Sequence, residues 1–129
     1  MRVSTANRKT KKTSIGFEAV RKVGLALTGV EVGTAYGSPA LKVGGKMFAC
    51  IAIHRSAEPA SLVVRIAFDR RDELIAADPA TYYVKEHYVD YPCVLVRLGR
   101  VHADALPDLL RMAWTFVSSQ RKAPKRTRR

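Results

Sequence analysis

The chain has 129 residues, is 47% hydrophobic, and sets 23 Lys and Arg against 11 Asp and Glu for a formal net charge of +12. That length points to one domain. The longest apolar run, residues 47–53, is far below the roughly 20 residues that span a bilayer, so no membrane span is expected.

The chain opens on residues 1–13, which are nearly free of large apolar side chains and are expected to be a disordered basic tail. No apolar stretch follows them, so a secretory signal is not expected. Ser14 can cap a first helix running to about Leu27, with Phe17, Val20, Val23 or Gly24, and Leu27 at helical spacing. Gly29 would end it. Residues 30–36 alternate as a strand, Gly37-Ser38-Pro39 turns the chain, and residues 40–43 form a second strand. Gly44-Gly45 is a two-residue hairpin signal. The next strand, 46–54, is apolar on both faces, as a central strand should be. Pro59 marks a loop. Residues 61–68 alternate, with Leu62, Val64, Ile66 and Phe68 inward and Arg65 outward.

Asp69 is the expected cap of a second helix that buries Leu74 and Ile75 and stops at Asp78-Pro79. Residues 80–92 are aromatic and polar and read equally as strand or loop. Residues 93–98 form the last strand, with Val94, Val96 and Leu98 on one face. Asp104 caps a final helix whose broad apolar face comprises Leu106, Leu110, Ala113 and Val117. A helix, three or four antiparallel strands, a helix, one or two strands and a helix give an α+β fold. It is a two-layer sandwich with the helices on one face of an antiparallel sheet and the other face partly open. The folded body is placed at 14–120, between tails at 1–13 and 121–129.

Residues 28–49 contain Thr28-Gly29-Val30-Glu31, then Gly37-Ser38-Pro39-Ala40-Leu41-Lys42-Val43-Gly44-Gly45-Lys46-Met47-Phe48-Ala49. This segment resembles the signature of the MmcQ/YjbR-like family. The stretch 82–96, with His87 and Tyr88, and the final helix, 106–117, are similar to that family's later blocks. Three aromatic positions depart from the pattern: Leu41, Cys93 and Ala113-Trp114 stand where the family has other residues. The resemblance implies a small α+β sandwich related to frataxin-like and secretion-chaperone-like folds, and a DNA-binding role.

The charge pattern agrees with a polyanion partner. The N-terminal segment carries Arg2, Arg8, Lys9, Lys11 and Lys12, and the C-terminal one Arg121, Lys122, Lys125, Arg126, Arg128 and Arg129, with no acid in either. The body between is nearly neutral. Basic segments neutralise phosphates without reading sequence. On the body, Lys42, Arg65 and Arg97 are expected to point away from the inward strand residues. Lys46 leaves the hairpin, and Lys85 lies among Tyr82, Tyr83, Tyr88 and Tyr91. Such a face can contact phosphates and stack bases.

Cys50 and Cys93 are expected as buried reduced thiols in a cytoplasmic setting. His87, Asp90 and Cys93 fall within seven residues but match no catalytic or metal-site spacing. His54 and His102 read as isolated. Asp69, Asp72, Glu73 and Asp78 suit a helix with acids near its N-terminus better than a cation site. No cofactor, metal or enzymatic activity is expected. The reading is a noncatalytic nucleic-acid-binding protein with DNA ahead of RNA as its target. The alternative is a protein-binding adaptor using the open sheet face or a groove beside the last helix.

Overall fold

The structure is a computed structural model that describes residues 16–122. The expected tail segments and the Ser14 cap lie outside the described residues, except for Arg121 and Lys122.

The elements in chain order are α1 (Phe17–Leu25), β1 (Val30–Ala35), β2 (Ser38–Val43), β3 (Lys46–Ile51), β4 (Ser61–Arg65), α2 (Phe68–Ala77), β5 (Tyr82–Tyr83), β6 (Cys93–Arg97) and α3 (Leu106–Lys122). One six-stranded sheet has the order β1-β2-β3-β4-β6-β5. Every neighbouring pair is antiparallel. The α+β sandwich expected from the sequence is therefore present.

The expected hairpin turn at Gly44-Gly45 forms, whereas the turn expected at Gly37-Ser38-Pro39 lies at Tyr36-Gly37, and Ser38 and Pro39 already belong to β2. Gly44 and Gly45 have φ of 59° and 80°, the pair of positive values that a two-residue hairpin of the favoured twist requires. Tyr36 and Gly37 repeat this between β1 and β2, with φ of 54° and 80°.

The helix-side core contains Leu41, Phe48, Leu62, Val64, Val94 and Val96 from the sheet against Leu106, Leu110, Ala113 and Val117 of α3, all 0–1% exposed. This is the face expected for the final helix. The register slips between Leu41 and Lys42, where Leu41 pairs with Ala49 and Lys42 with Met47. Phe48 is the extra residue, and the bulge lets both Phe48 and Ala49 join the helix-side core. Gly24 of α1 is buried, and a Cβ there would lie 2.4 Å from Leu41 Cδ1. Its lack of a side chain sets how closely α1 approaches β2.

Several boundaries differ from the sequence expectation. The N-cap of α1 is Gly16 and that of α2 is Ala67, neither with a side-chain cap bond. Asp69 therefore lies inside the first turn of α2. Asp104 sits in a short 3-10 turn ahead of α3. Phe68 opens α2 and is 44% exposed rather than extending β4 inward. Leu74 and Ile75 are only half-buried, and the buried residue of α2 is Arg71. Within residues 80–92 only Tyr82 and Tyr83 form a strand, and the rest is built from turns. Finally, α3 runs to Lys122, two residues beyond the expected domain boundary.

The second face of the sheet is covered more than expected. Ala40, Cys50, Val63, Leu95 and Tyr83 form one row across the strands, following the pairings Ala40–Cys50, Cys50–Val63, Val63–Leu95 and Leu95–Tyr83. All five are buried and form a smaller core, against which Ala52, Ala57 and Tyr88 pack. Two segments, 52–60 and 84–92, supply that cover.

Candidate functional site

The segment 52–60 is anchored by Arg97. Its Nε and Nη2 donate to the two carboxylate oxygens of Glu58 at 2.8 and 2.7 Å, and Nη1 donates to the Pro79 and Ala80 carbonyls at 3.1 Å each. The guanidinium lies over the Tyr83 ring at 4.2 Å. The Tyr83 hydroxyl accepts from the Glu58 backbone N–H at 2.8 Å and is hydrogen-bonded to the buried Ser61 hydroxyl. The hydrogen bonds from Arg97 hold the Glu58 carboxyl below its ordinary range. Arg97 was expected to offer its charge to a phosphate; here its fork is taken up by a bidentate carboxylate and two carbonyls.

The segment 84–92 is anchored by Arg71, whose side chain comes up from α2. Its Nη1 donates to the carbonyls of Val89, Tyr91 and Cys93 at 3.1, 3.1 and 3.3 Å. The guanidinium also lies 4.8 Å from the Phe68 ring centroid. Phe68, 44% exposed, packs against this cation. Burying a guanidinium is costly unless its donors are satisfied; these carbonyls satisfy Nη1 and fix the path of the loop, while the buried Nε has no hydrogen-bond partner among the described residues.

The two segments meet through His54 and His87, whose rings stack at 3.6 Å between centroids and 8° between planes. Tyr88 packs edge-on to both, at 6.2 and 4.8 Å. The Ser56 backbone N–H donates to His54 Nδ1 at 3.0 Å, and the Ser56 hydroxyl lies 2.9 Å away. A ring nitrogen that accepts from a backbone donor carries no proton, so His54 is held as the Nε2–H tautomer. Desolvation first, then the charges of His87 and Arg55, lower its pKa.

Beside this stack lies a cleft of about 910 Å³. Met47, Cys50, Val63 and Cys93 line it from the strands, and Ile53, His54, Arg55, His87, Tyr88 and Tyr91 from the covering segments. Tyr36 and Arg65 belong both to the cleft and to a hollow of about 320 Å³ that also contains Thr34, Lys42 and Lys46. Tyr36 is 81% exposed and Tyr91 59%. The Lys42 stem lies across Gly33, where a Cβ would sit 3.5 Å from it.

Burial pushes the Cys50 and Cys93 thiols up to about 11, so both are protonated near neutrality and are poor nucleophiles. They sit on β3 and β6, either side of β4, which separates their backbones by about 9–10 Å. A disulfide needs less than about 7 Å. Among the described residues, no group of three or more His, Cys, Asp or Glu converges as metal ligands.

Of the expected site residues on the body, Lys42, Lys46 and Arg65 all line the hollow, and the Arg65 guanidinium also lies 6.0 Å from the Phe116 ring centroid. Arg97 does not join them. Lys85 is exposed but lines neither the cleft nor the hollow. The expected tyrosine cluster is divided: Tyr82 enters the helix-side core, Tyr83 the opposite one, and only Tyr88 and Tyr91 reach the cleft. His87 and Cys93 share the cleft, but Asp90 is not part of its lining. His54 was read as isolated, and is stacked on His87. Arg8, Lys9, Lys11, Lys12, Lys125, Arg126, Arg128 and Arg129 lie outside the described residues. Sequence reasoning also missed Arg55 and Arg71. The one available signal for Tyr36 was its place before Gly37 in a two-residue turn.

An antiparallel sheet with helices on one face and a cleft under two short covering segments on the other defines the class of fold. The YjbR family profile matches residues 25–116, and the chain belongs to that family. Its fold is similar to the crystal structure of the Deinococcus radiodurans protein DR2400, which carries a DUF419 domain. The TM-score is 0.67 at 24% identity, covering 84% of this chain and 82% of that one. No curated protein matches the chain.

Proposed function

We propose that this protein binds nucleic acid without catalysing a reaction, and that the cleft takes unpaired bases while cations outside it hold phosphates. One observation carries the reading: exposed aromatic rings and cations line two adjoining spaces, Tyr36 and Tyr91 with Arg55 and Arg65 in the cleft and Tyr36 with Lys42 and Lys46 in the hollow. Bases stack on aromatic side chains whatever their sequence, and a flanking positive groove follows the backbone. The protonated thiols support the noncatalytic part. The basic terminal segments add affinity without sequence preference. DNA stands ahead of RNA on the family resemblance.

The test is fluorescence anisotropy with a labelled single-stranded oligonucleotide and its duplex at low salt. The full chain should prefer the single strand, and Tyr91→Ala should remove most of that preference, because a duplex keeps its bases stacked out of reach. Equal affinity for both forms in the parent and the variant would take the cleft out of the account. Absence of binding to either would favour the adaptor reading, which the apolar lining by Met47, Ile53 and Val63 also accommodates.

A further inference from the structure

The cleft and the hollow are contiguous, sharing Tyr36, Met47 and Arg65, yet they differ in chemistry. The cleft has rings and thiols. The hollow has Lys42 and Lys46; Glu31 stands opposite Lys42 in the strand register, but among the described residues no carboxylate forms an ion pair with either lysine. A ligand filling both needs a planar, largely apolar part joined to a compact anion. The cleft is also bounded, because the stacked His54 and His87 join its two covering segments.

We propose that these two spaces form one site for a single nucleotide, with its base stacked in the cleft and its phosphate held by Lys42 and Lys46. The proposal rests on the nucleic-acid reading above and names the unit recognised. Base and phosphate are joined through one sugar, so binding both at once requires adjoining spaces. Tyr36 sits at the junction, where its ring can contact the sugar or the base edge. The source can be a free nucleotide or the phosphorylated end of a strand, since both present the same chemistry.

Calorimetric titration of the full chain tests this with three probes: a nucleoside 5′-monophosphate, the matching nucleoside and inorganic phosphate. Inorganic phosphate accounts for anions held by the basic termini. The monophosphate should bind at least about tenfold more tightly than either fragment. Tyr91→Ala should weaken it about tenfold, as loss of one stacking ring does, and leave inorganic phosphate unchanged. Lys42→Ala with Lys46→Ala should bring the monophosphate down to the level of the nucleoside. Both lysines are away from the cores, so circular dichroism should show these variants folded. A 5′-phosphorylated oligonucleotide binding more tightly than its 5′-hydroxyl form identifies a strand end as the source, and a preference confined to the mononucleotide identifies the free form. A monophosphate that binds no better than inorganic phosphate, or a preference that survives loss of both lysines, overturns the proposal. If oligonucleotides still bind in that case, the broader reading stands without the single-nucleotide site. If they do not, both fall.

Discussion

Tyr36 holds a backbone conformation that suits Asn or Gly. Its φ of 54° sits in the left-handed region, where a bulky residue is rare and strain of about 1 kcal/mol or more is usual. It buries little in return, being 81% exposed. A strained, exposed ring at the mouth of a cleft is consistent with a role in contact rather than stability. Tyr36→Asn should raise the thermal midpoint, by relieving about 1 kcal/mol, while weakening oligonucleotide binding about five- to tenfold. A variant that is less stable, or that binds as well as the parent, would show that the ring serves the fold alone.

The two thiols give a pH signature at the same scale. Their ordinary value is near 9.0, and in the fold desolvation raises both to about 11. Between those values the native state holds protons that the unfolded chain releases, so stability must fall as pH rises from about 9 toward 11. The double variant Cys50→Ala, Cys93→Ala should fall less steeply over that window in chemical denaturation. Parallel declines would mean that other groups, such as the buried Tyr82, account for the slope.

Among the elements, α3 carries the stability of the helix layer. Leu110 is fully buried, and Leu110→Ala should cost about 2–5 kcal/mol, the usual cost of a large-to-small core change. A denaturation midpoint unchanged by that variant would contradict the packing described. This helix was legible because four apolar residues at one spacing leave little choice of face. The hairpin at Gly44-Gly45 was legible because few residue pairs accept two positive φ values. Helix starts were less so: Asp69 and Asp104 have the chemistry of caps, but the chain enters both helices one or two residues away and leaves those side chains exposed. The cleft was the least legible part. It depends on where segments 52–60 and 84–92 fold, and those paths are set by Arg97 and Arg71, whose partners lie 17 to 39 and 18 to 22 residues away in sequence. Alternation placed Arg97 correctly on the second face but could not reveal Glu58 beneath its guanidinium. For the same reason the His54–His87 stack, between residues 33 apart, has no local signal.

At the scale of the molecule, charge and site are separated. The nearly neutral body holds the cleft, and the excess charge lies at the two ends of the sequence. Among the described residues no helix is long and apolar enough to cross a membrane. On the proposed function the division assigns different duties: terminal cations would supply affinity that salt weakens, and the cleft discrimination that salt affects less. Because α3 extends to Lys122, separating these duties requires a body of residues 14–122, which keeps the helix whole. It removes five cations from one end and four from the other.

The most direct measurement is the affinity of the full chain and of the 14–122 body for one single-stranded oligonucleotide across a salt series. Each phosphate contact contributes about −0.7 to the slope of log affinity against log salt on a single strand. Loss of about four to six contacts should therefore flatten the slope by roughly 3 to 4 and weaken binding by orders of magnitude at low salt. The body should keep a weaker interaction that Tyr91→Ala abolishes. Identical slopes for the two chains, or a body whose residual binding ignores Tyr91, would contradict the account.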